Sequence, residues 1–122
     1  MENTASSSGH DDIEAGVGAL GRVTLLQPGD SSEAIYDDWA ATYEADLTRY
    51  GYLSPALCAE ALSEMLLDHT RFDVAVVDYG CGTGLAGVEL ARVGLINITG
   101  IDLSQGMLDV ARTKSVLSLI HI

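Results

Sequence analysis

A β-branched run that ends in an acid and three alternating glycines constrains this chain more than any other feature. Residues 74–77 read Val-Ala-Val-Val, and residues 78–84 read Asp-Tyr-Gly-Cys-Gly-Thr-Gly. The first run predicts a strand buried on both faces, and apolar residues resume at helical spacing from Leu85 to Val93. Glycine allows positive φ and lets a ligand approach the backbone closely. The stretch therefore predicts a strand, a tight turn and a helix N-terminus, the usual ligand-binding corner of an open α/β sheet.

The glycine spacing separates the ligand classes that such a corner can serve. A dinucleotide fingerprint needs G-x-G-x-x-G, but Leu85 stands three residues after Gly82. An NAD-dependent oxidoreductase would have to tolerate that leucine at the third glycine position. A phosphate-binding P-loop ends in Gly-Lys-Ser/Thr, and this segment contains no lysine.

A second apolar run, Leu95 to Leu103, also contains an acid near its end. This acid, Asp102, follows Asp78 by 24 positions, which suits a β-α-β unit whose second strand carries a carboxylate for two ribose hydroxyls. The next helix is predicted to begin with Ser104 as its N-cap, and Met107 in its first turn could lie against an adenine.

The motif Asp-x-Gly-x-Gly-x-Gly, followed by an acid, a small hydroxyl residue and a methionine, resembles class I S-adenosylmethionine-dependent methyltransferases. The resemblance implies an α/β, Rossmann-like methyltransferase fold, truncated to its first two or three parallel strands with flanking helices. It implies S-adenosylmethionine as the cofactor: the glycines approach its homocysteine and ribose, one acid meets its ammonium and the other its ribose, and apolar residues wall its adenine. The implied cofactor-binding residues are Asp78, Gly80, Cys81, Gly82, Gly84, Asp102, Leu103, Met107, Tyr36 and Tyr43.

The two tyrosines come from an aromatic segment upstream of the first strand. Asp30 and Glu33 have the spacing of a capping box, and Ile35, Tyr36, Trp39, Ala40 and Tyr43 then fall on one face of a predicted helix. Residues 36–46 resemble the segment that covers the methionine end of the cofactor in many small-molecule methyltransferases. That resemblance gives Tyr36 and Tyr43 a cation-π role and leaves Trp39 a packing role. It also points to one branch of the family, the methyltransferase-like proteins.

Two further elements complete the predicted domain. Ser54-Pro55 is expected to open a helix as its N-cap and first residue, and this helix should cover one face of the sheet. His69, near its end, is interpreted as a partner for the helix C-terminus. The last eight residues alternate well enough to form a third strand. The helix stripe is predicted from Leu57, Cys58, Ala61, Leu62, Met65 and Leu66.

Composition and charge limit the partners and the compartment. The net charge of -12 over 122 residues argues against nucleic-acid substrates and anionic membrane surfaces. The sequence contains neither a membrane span nor a signal peptide pattern. Cys58 and Cys81 are interpreted as free thiols of a reducing compartment, which favours a cytoplasmic protein. Residues 1–29 are interpreted as a flexible acidic leader, in which His10 has no partner at metal-ligand spacing, and residues 30–122 as the N-terminal part of the domain.

Two functions from different classes follow from these features. The first is methyl transfer to an unidentified small-molecule or protein acceptor, with this chain supplying the cofactor-binding half. No catalytic residue is assigned, because the acceptor site and any base are implied to lie in the absent half of the fold. The second is a truncated, non-catalytic polypeptide that binds cofactor weakly or serves as a partner. Two or three parallel strands leave an open sheet edge, which predicts self-association.

Overall fold

The computed structural model describes residues 18–66 and 73–122 of the chain. Within these residues, four α-helices precede the first strand, and strands then alternate with helices. In chain order the elements are α1 (Ala19–Thr24), α2 (Ser32–Trp39), α3 (Tyr43–Arg49), α4 (Ser54–Met65), β1 (Ala75–Tyr79), α5 (Leu85–Arg92), β2 (Asn97–Asp102), α6 (Gln105–Arg112) and β3 (Ser118–His121).

The three strands form one parallel sheet in the order β1-β2-β3. The register aligns Asp78 with Gly100, and Asp102 with His121. Both acids therefore lie at the carboxyl ends of neighbouring strands. The predicted α/β architecture and the third strand are confirmed.

The core lies on one face of this sheet. Parallel connections are almost always right-handed, and both crossovers here run in the same direction, so α5 and α6 fall on the same face. Helix α4 packs there as well, as predicted. The buried centre consists of Ala59 from α4, Leu90 from α5, Ile98 from β2 and Leu95 from the loop before it.

The opposite face of the sheet is bare in the described residues, and the prediction of a β1 buried on both faces was wrong. Val77 is 62% exposed and Tyr79 is 76% exposed, whereas Val76 packs on the core. A continuous apolar run is typical of a parallel strand with both faces covered, which is why residues 74–77 predicted two buried faces. The described helices cover only one of them.

Leu117, just before β3, fills a niche formed by three glycines. A Cβ on Gly87 would lie 2.8 Å from a Leu117 methyl carbon, one on Gly100 would lie 2.9 Å away, and one on Gly84 3.0 Å away. The niche joins the glycine loop, α5 and β2 to the segment before β3. The third strand is therefore fixed by side-chain packing as well as by its backbone ladder.

Several details upstream of the sheet differ from the predictions. Helix α2 begins with Ser31 at its N-cap, and the Asp30 carboxylate instead accepts a hydrogen bond from the Gln27 N–H at 2.7 Å, so no capping box forms. The single predicted aromatic helix is broken between Trp39 and Tyr43, where a turn separates α2 from α3. Helix α4 starts one residue earlier than expected, with Leu53 as its N-cap.

The buried face of α4 was also predicted wrongly. Ala59, Leu62 and Leu66 pack on the core. Leu57 is 59% exposed and Met65 is 79% exposed, although both were assigned to the packed stripe. Both faces of this helix are apolar, so periodicity alone could not choose between them.

Some predictions fall outside the described residues. These are the uncoordinated His10, the role of His69 and most of the acidic leader. Within residues 18–66 and 73–122, no helix has the length and apolar character that crossing a bilayer requires.

Candidate functional site

A cavity of about 310 Å³ lies where the carboxyl ends of β1 and β2 meet the aromatic helices. This is the edge at which open α/β sheets bind ligands. Seven of the ten predicted site residues line it, and Asp78, Cys81 and Gly84 do not. The lining consists of Ser32, Glu33, Tyr36, Tyr43, Tyr79, Gly80, Gly82, Ile101, Asp102, Leu103, Ser104, Met107 and Ile122.

The glycine loop turns the backbone sharply beneath this cavity. Gly80, Gly82 and Gly84 all have positive φ, at 76°, 54° and 84°. A Cβ added to Gly80 or Gly82 would meet no protein atom within 4 Å, so the space beside both is open. Gly84 is different, because its Cβ would lie 3.4 Å from the Cβ of Ala111. Gly80 and Gly82 thus keep a path open for a ligand, while Gly84 permits close packing.

Asp102 anchors the turn from both sides. Its Oδ2 accepts the Gly82 N–H at 2.8 Å, and its Oδ1 accepts the Ser104 N–H at 2.8 Å. Each carboxylate oxygen still has acceptor capacity, because it offers about two lone-pair sites. Asp102 therefore holds the loop and can still accept hydrogen bonds from hydroxyl groups in the cavity.

Asp78 is the electrostatically unsatisfied group of the site. Its Oδ2 is buried and has no hydrogen-bond partner in the described residues. Burial raises the pKa of this carboxyl, and the negative charge of Asp102 raises it further. A buried carboxylate oxygen without a partner is costly, so the site favours a cation or a hydrogen-bond donor beside Asp78 Oδ2.

Cys81 faces the protein interior. Its Sγ would lie only 2.8 Å from a Cβ on Gly100, so thiol and strand pack directly together. Burial, with the nearby charges of Asp78 and Asp102, raises the pKa of this thiol to about 11. Cys81 is therefore an unreactive packing group at neutral pH.

The aromatic residues form one stacked cluster over the cavity. The rings of Tyr36 and Trp39 stack at 6.1 Å, and Trp39 meets Tyr43 edge-on at 4.8 Å. Trp39 is 3% exposed, and its indole N–H donates to Asp46 at 2.7 Å, as expected for a packing residue. Burial and the neighbouring Tyr52 raise the pKa of Tyr43 to about 12. Tyr43 therefore presents a neutral ring at physiological pH.

The start of α6 provides the apolar wall of the cavity. The Ser104 side chain accepts the Met107 N–H at 3.1 Å, which confirms the predicted N-cap. Met107 is buried, while Leu103 is half exposed. Both line the cavity beside Asp102, where a flat apolar group could be enclosed.

Three polar residues at the site were missed by the sequence reasoning. Asp37 on α2 accepts hydrogen bonds from Ser104 and Gly106. The Lys114 ammonium donates to the Glu44 carboxylate and, at 2.7 Å, to the Thr83 carbonyl. Asp37 lies 67 positions from Ser104 and 69 from Gly106, and Glu44 lies 70 positions from Lys114. No local spacing could therefore reveal these contacts.

Together these groups can hold an amphipathic ligand that carries hydroxyl groups, a flat apolar part and a positive charge. The described residues contain no group of three or more His, Cys, Asp or Glu side chains that could hold a metal ion.

Comparison with known sequences identifies the region around this cavity. The family model described as "Methyltransferase domain" matches residues 76–120. "Methyltransferase-like protein 27" of Homo sapiens is 35% identical over 81 residues, covering 66% of this chain and 33% of that protein. "Ribosomal protein L11 methyltransferase" of Shewanella baltica is 37% identical over 60 residues, covering 49% and 19%. The chain thus spans about a third or less of the length of these relatives.

A solved structure supports the fold. The crystal structure of magnesium protoporphyrin IX methyltransferase (ChlM) from Synechocystis PCC 6803 with bound SAM aligns with a TM-score of 0.53. The sequence identity is 18%, and the alignment covers 80% of this chain and 57% of that one. At this identity the likeness concerns the backbone fold.

Proposed function

Because this chain belongs to the class I methyltransferase family, we propose that its cavity binds S-adenosylmethionine and serves methyl transfer to a small-molecule or protein acceptor. The observation that carries the proposal is Asp78. Asp78 does not itself line the cavity, but its buried Oδ2 has no hydrogen-bond partner among the described residues, the adjacent glycine loop is open, and the charge of Asp102 acts on it. S-adenosylmethionine supplies an ammonium for Asp78, ribose hydroxyls for Asp102 and a flat adenine for Leu103 and Met107.

The residues present fit this cofactor on chemical grounds. Gly80 and Gly82 leave open the space that side chains would fill, so the backbone can approach the homocysteine and ribose. Asp102 is held rigidly by two backbone N–H groups, which fixes its oxygens before a ligand arrives. Preorganised acceptors lose less entropy on binding than mobile ones.

The protein's part in the reaction is mainly alignment. The bound cofactor supplies an activated methyl group on a sulfonium leaving group. The aromatic cluster limits access of water to the cavity, and the neutral Tyr43 ring offers a π face to a positive charge. This chain spans about a third of the length of methyltransferase-like protein 27, and we assign neither acceptor recognition nor proton removal to any of its residues.

Isothermal titration with S-adenosylmethionine tests the proposal, using the monodisperse chain and NAD⁺ as the rival ligand. We expect saturable binding of S-adenosylmethionine only. Asp78→Asn should weaken it about 10- to 150-fold, because a charge-assisted contact contributes about 1.5–3 kcal/mol. Asp109→Asn is the matched control, since that carboxylate is 61% exposed and pairs with Arg112 on the surface.

Asp78→Asn is a cleaner test than a change at Asp102. Asp102 holds Gly82 and Ser104, so its replacement disturbs the loop whether or not ribose binds there. If the folded wild-type chain leaves S-adenosylmethionine unbound, or binds NAD⁺ in its place, the cofactor assignment fails.

We propose a cytoplasmic location for this activity. Cys58 and Cys81 are both free thiols in the structure, and Cys58 is exposed. An exposed thiol suits a reducing compartment. Fractionation of cells that express the tagged full-length protein tests the location, and recovery in a secreted fraction would contradict it.

As a second candidate we propose self-association through the outer edge of β1. In the part of the chain that the structure describes, no strand pairs with this edge, and Val77 and Tyr79 lie exposed beside it. Two copies could pair their β1 strands antiparallel about a two-fold axis. The net charge of -12 opposes this contact, so screening by salt should promote it.

Sedimentation velocity at 50 mM and 500 mM salt tests the second candidate. We expect the dimer fraction to rise with salt and with protein concentration. Val77→Glu should abolish dimerisation, because it places a charge on the apolar face. Glu60→Gln, on α4, is the control. A wild-type chain that stays monomeric at every concentration and salt level would rule this candidate out.

A further inference from the structure

We propose that Asp37 is a positioning residue that latches the aromatic arm, residues 32–49, to the N-terminus of α6 and thereby holds Tyr36 over the cavity. The inference deepens the proposed cofactor site and rests on it for its effect on binding. The latch itself is a property of the chain alone and can be measured without any ligand.

One oxygen of Asp37 joins the two elements. Its Oδ1 accepts the Gly106 N–H at 2.8 Å and also the hydroxyl hydrogen of Ser104. The same Ser104 oxygen accepts the Met107 N–H at 3.1 Å, so the helix cap and the latch form one continuous chain of hydrogen bonds. A carboxylate at a helix N-terminus is also favoured by the helix dipole.

Gly106 provides independent evidence of close contact. A Cβ at this position would lie 3.1 Å from the Cα, the carbonyl oxygen and the Oδ1 of Asp37. Two of these are backbone atoms, which cannot move aside by a rotamer change. The arm therefore approaches α6 this closely because residue 106 lacks a side chain, and a Cβ there would have to push the arm outward.

A second tie fixes the far end of the arm. Lys114, just beyond the C-terminus of α6, donates to Glu44 on α3 and to the Thr83 carbonyl in the glycine loop. The arm is thus tied near both ends of α6. Tyr36, the residue before Asp37, and Tyr43, the residue before Glu44, both line the cavity.

The latch has a direct spectroscopic probe and a matched control. In ¹⁵N-labelled protein without ligand, the Gly106 amide reports the bond to Asp37. Trp39, the single tryptophan, reports burial of the arm through acrylamide quenching. Asp38→Ala is the control, because this neighbouring acid forms only an exposed ion pair with Arg22 at 3.4 Å among the described residues.

We expect Asp37→Ala to move the Gly106 amide resonance upfield and to speed its hydrogen exchange at least tenfold. Trp39 should become more accessible to acrylamide, and affinity for S-adenosylmethionine should fall about tenfold. Asp38→Ala should leave all of these unchanged. In Gly106→Ala, the added methyl group on α6 should push Asp37 and the arm away, while alanine favours the helix. This variant should therefore reproduce the changes in Trp39 quenching and S-adenosylmethionine affinity without loss of helicity.

The outcomes separate the latch from the cofactor site. An unchanged Gly106 amide in Asp37→Ala overturns the latch, whatever the chain binds. Lost latch signals with unchanged affinity in both variants overturn the positioning role and leave the cofactor proposal standing. If the wild-type chain does not bind S-adenosylmethionine, the cofactor proposal fails, while the amide and quenching data still decide the latch.

Discussion

Replacement of Asp102 by asparagine should lower the free energy of unfolding of the apo chain, by an amount that follows from the two hydrogen bonds of its carboxylate. The carboxylate accepts two backbone N–H groups, from Gly82 and Ser104, at 2.8 Å each. An asparagine side chain has one carbonyl oxygen, so one N–H must face its NH₂ group. Losing a hydrogen bond to a charged group costs about 1.5–3 kcal/mol, which is about 10- to 150-fold in the unfolding equilibrium.

A smaller effect acts in the opposite direction. Removing the charge of Asp102 relieves its repulsion of Asp78, but burial is the larger cause of the raised Asp78 pKa. We therefore expect net destabilisation. Urea unfolding followed by circular dichroism and by Trp39 fluorescence measures it, and agreement of the two probes checks two-state behaviour.

Asp109→Asn is the control for this measurement, and its exposed ion pair predicts a change below about 0.5 kcal/mol. If Asp102→Asn unfolds at the same urea concentration as the wild type, the two backbone bonds do not hold the turn, and the proposed dual role of Asp102 is refuted.

Three further changes test other parts of the structure. Gly87→Ala should lower the free energy of unfolding measured in urea by about 1–2 kcal/mol, because the cost of overpacking against Leu117 exceeds the gain in helix propensity. In a Leu117→Ala background, the same change should be stabilising. Asp78 has a raised pKa, so its ionised form destabilises the apo fold above the unfolded pKa of 3.8, and Asp78→Asn should be at least as stable as wild type in urea at pH 7. In the wild type, titration calorimetry should show that S-adenosylmethionine affinity falls as the pH drops toward the raised pKa of Asp78. Asp78→Asn should abolish this pH dependence. Tyr43, whose pKa is raised to about 12, should make stability fall between about pH 10 and 12, and Tyr43→Phe should reduce that fall in thermal melts; an unaltered melt series would contradict its burial.

The elements around the glycine loop could be predicted because their signals are local. The β-branched run before Asp78, the alternating glycines and the Ser104 cap each need only a few neighbouring residues to be recognised. All three elements appear close to their predicted positions. The positions of Asp78 and Asp102 at the carboxyl edge of the sheet could therefore be predicted without knowledge of any distant contact.

The errors arose where distant contacts decide the structure. Helix α4 has two apolar faces, and only the position of the sheet determines that Leu62 packs inward while Met65 stays exposed. The aromatic helix breaks after Trp39, whose indole finds its partner on α3. The latch of Asp37 depends on Gly106, 69 positions away. Spacing within one segment carries no information about such pairs.

The niche around Leu117 has an evolutionary consequence. Gly84, Gly87 and Gly100 belong to three different elements, yet each is limited by the same leucine side chain. Among homologues, these positions should vary together: a smaller residue at 117 would permit alanine at 87, whereas alanine at 100 would need smaller residues at both 117 and 81, because a Cβ there would also lie 2.8 Å from Cys81 Sγ. Gly84 should stay fixed in either background, because its φ of 84° excludes most side chains independently of the niche. An alignment of relatives should therefore show an invariant glycine at 84, a residue at 87 that covaries with position 117, and a residue at 100 that covaries with both 81 and 117.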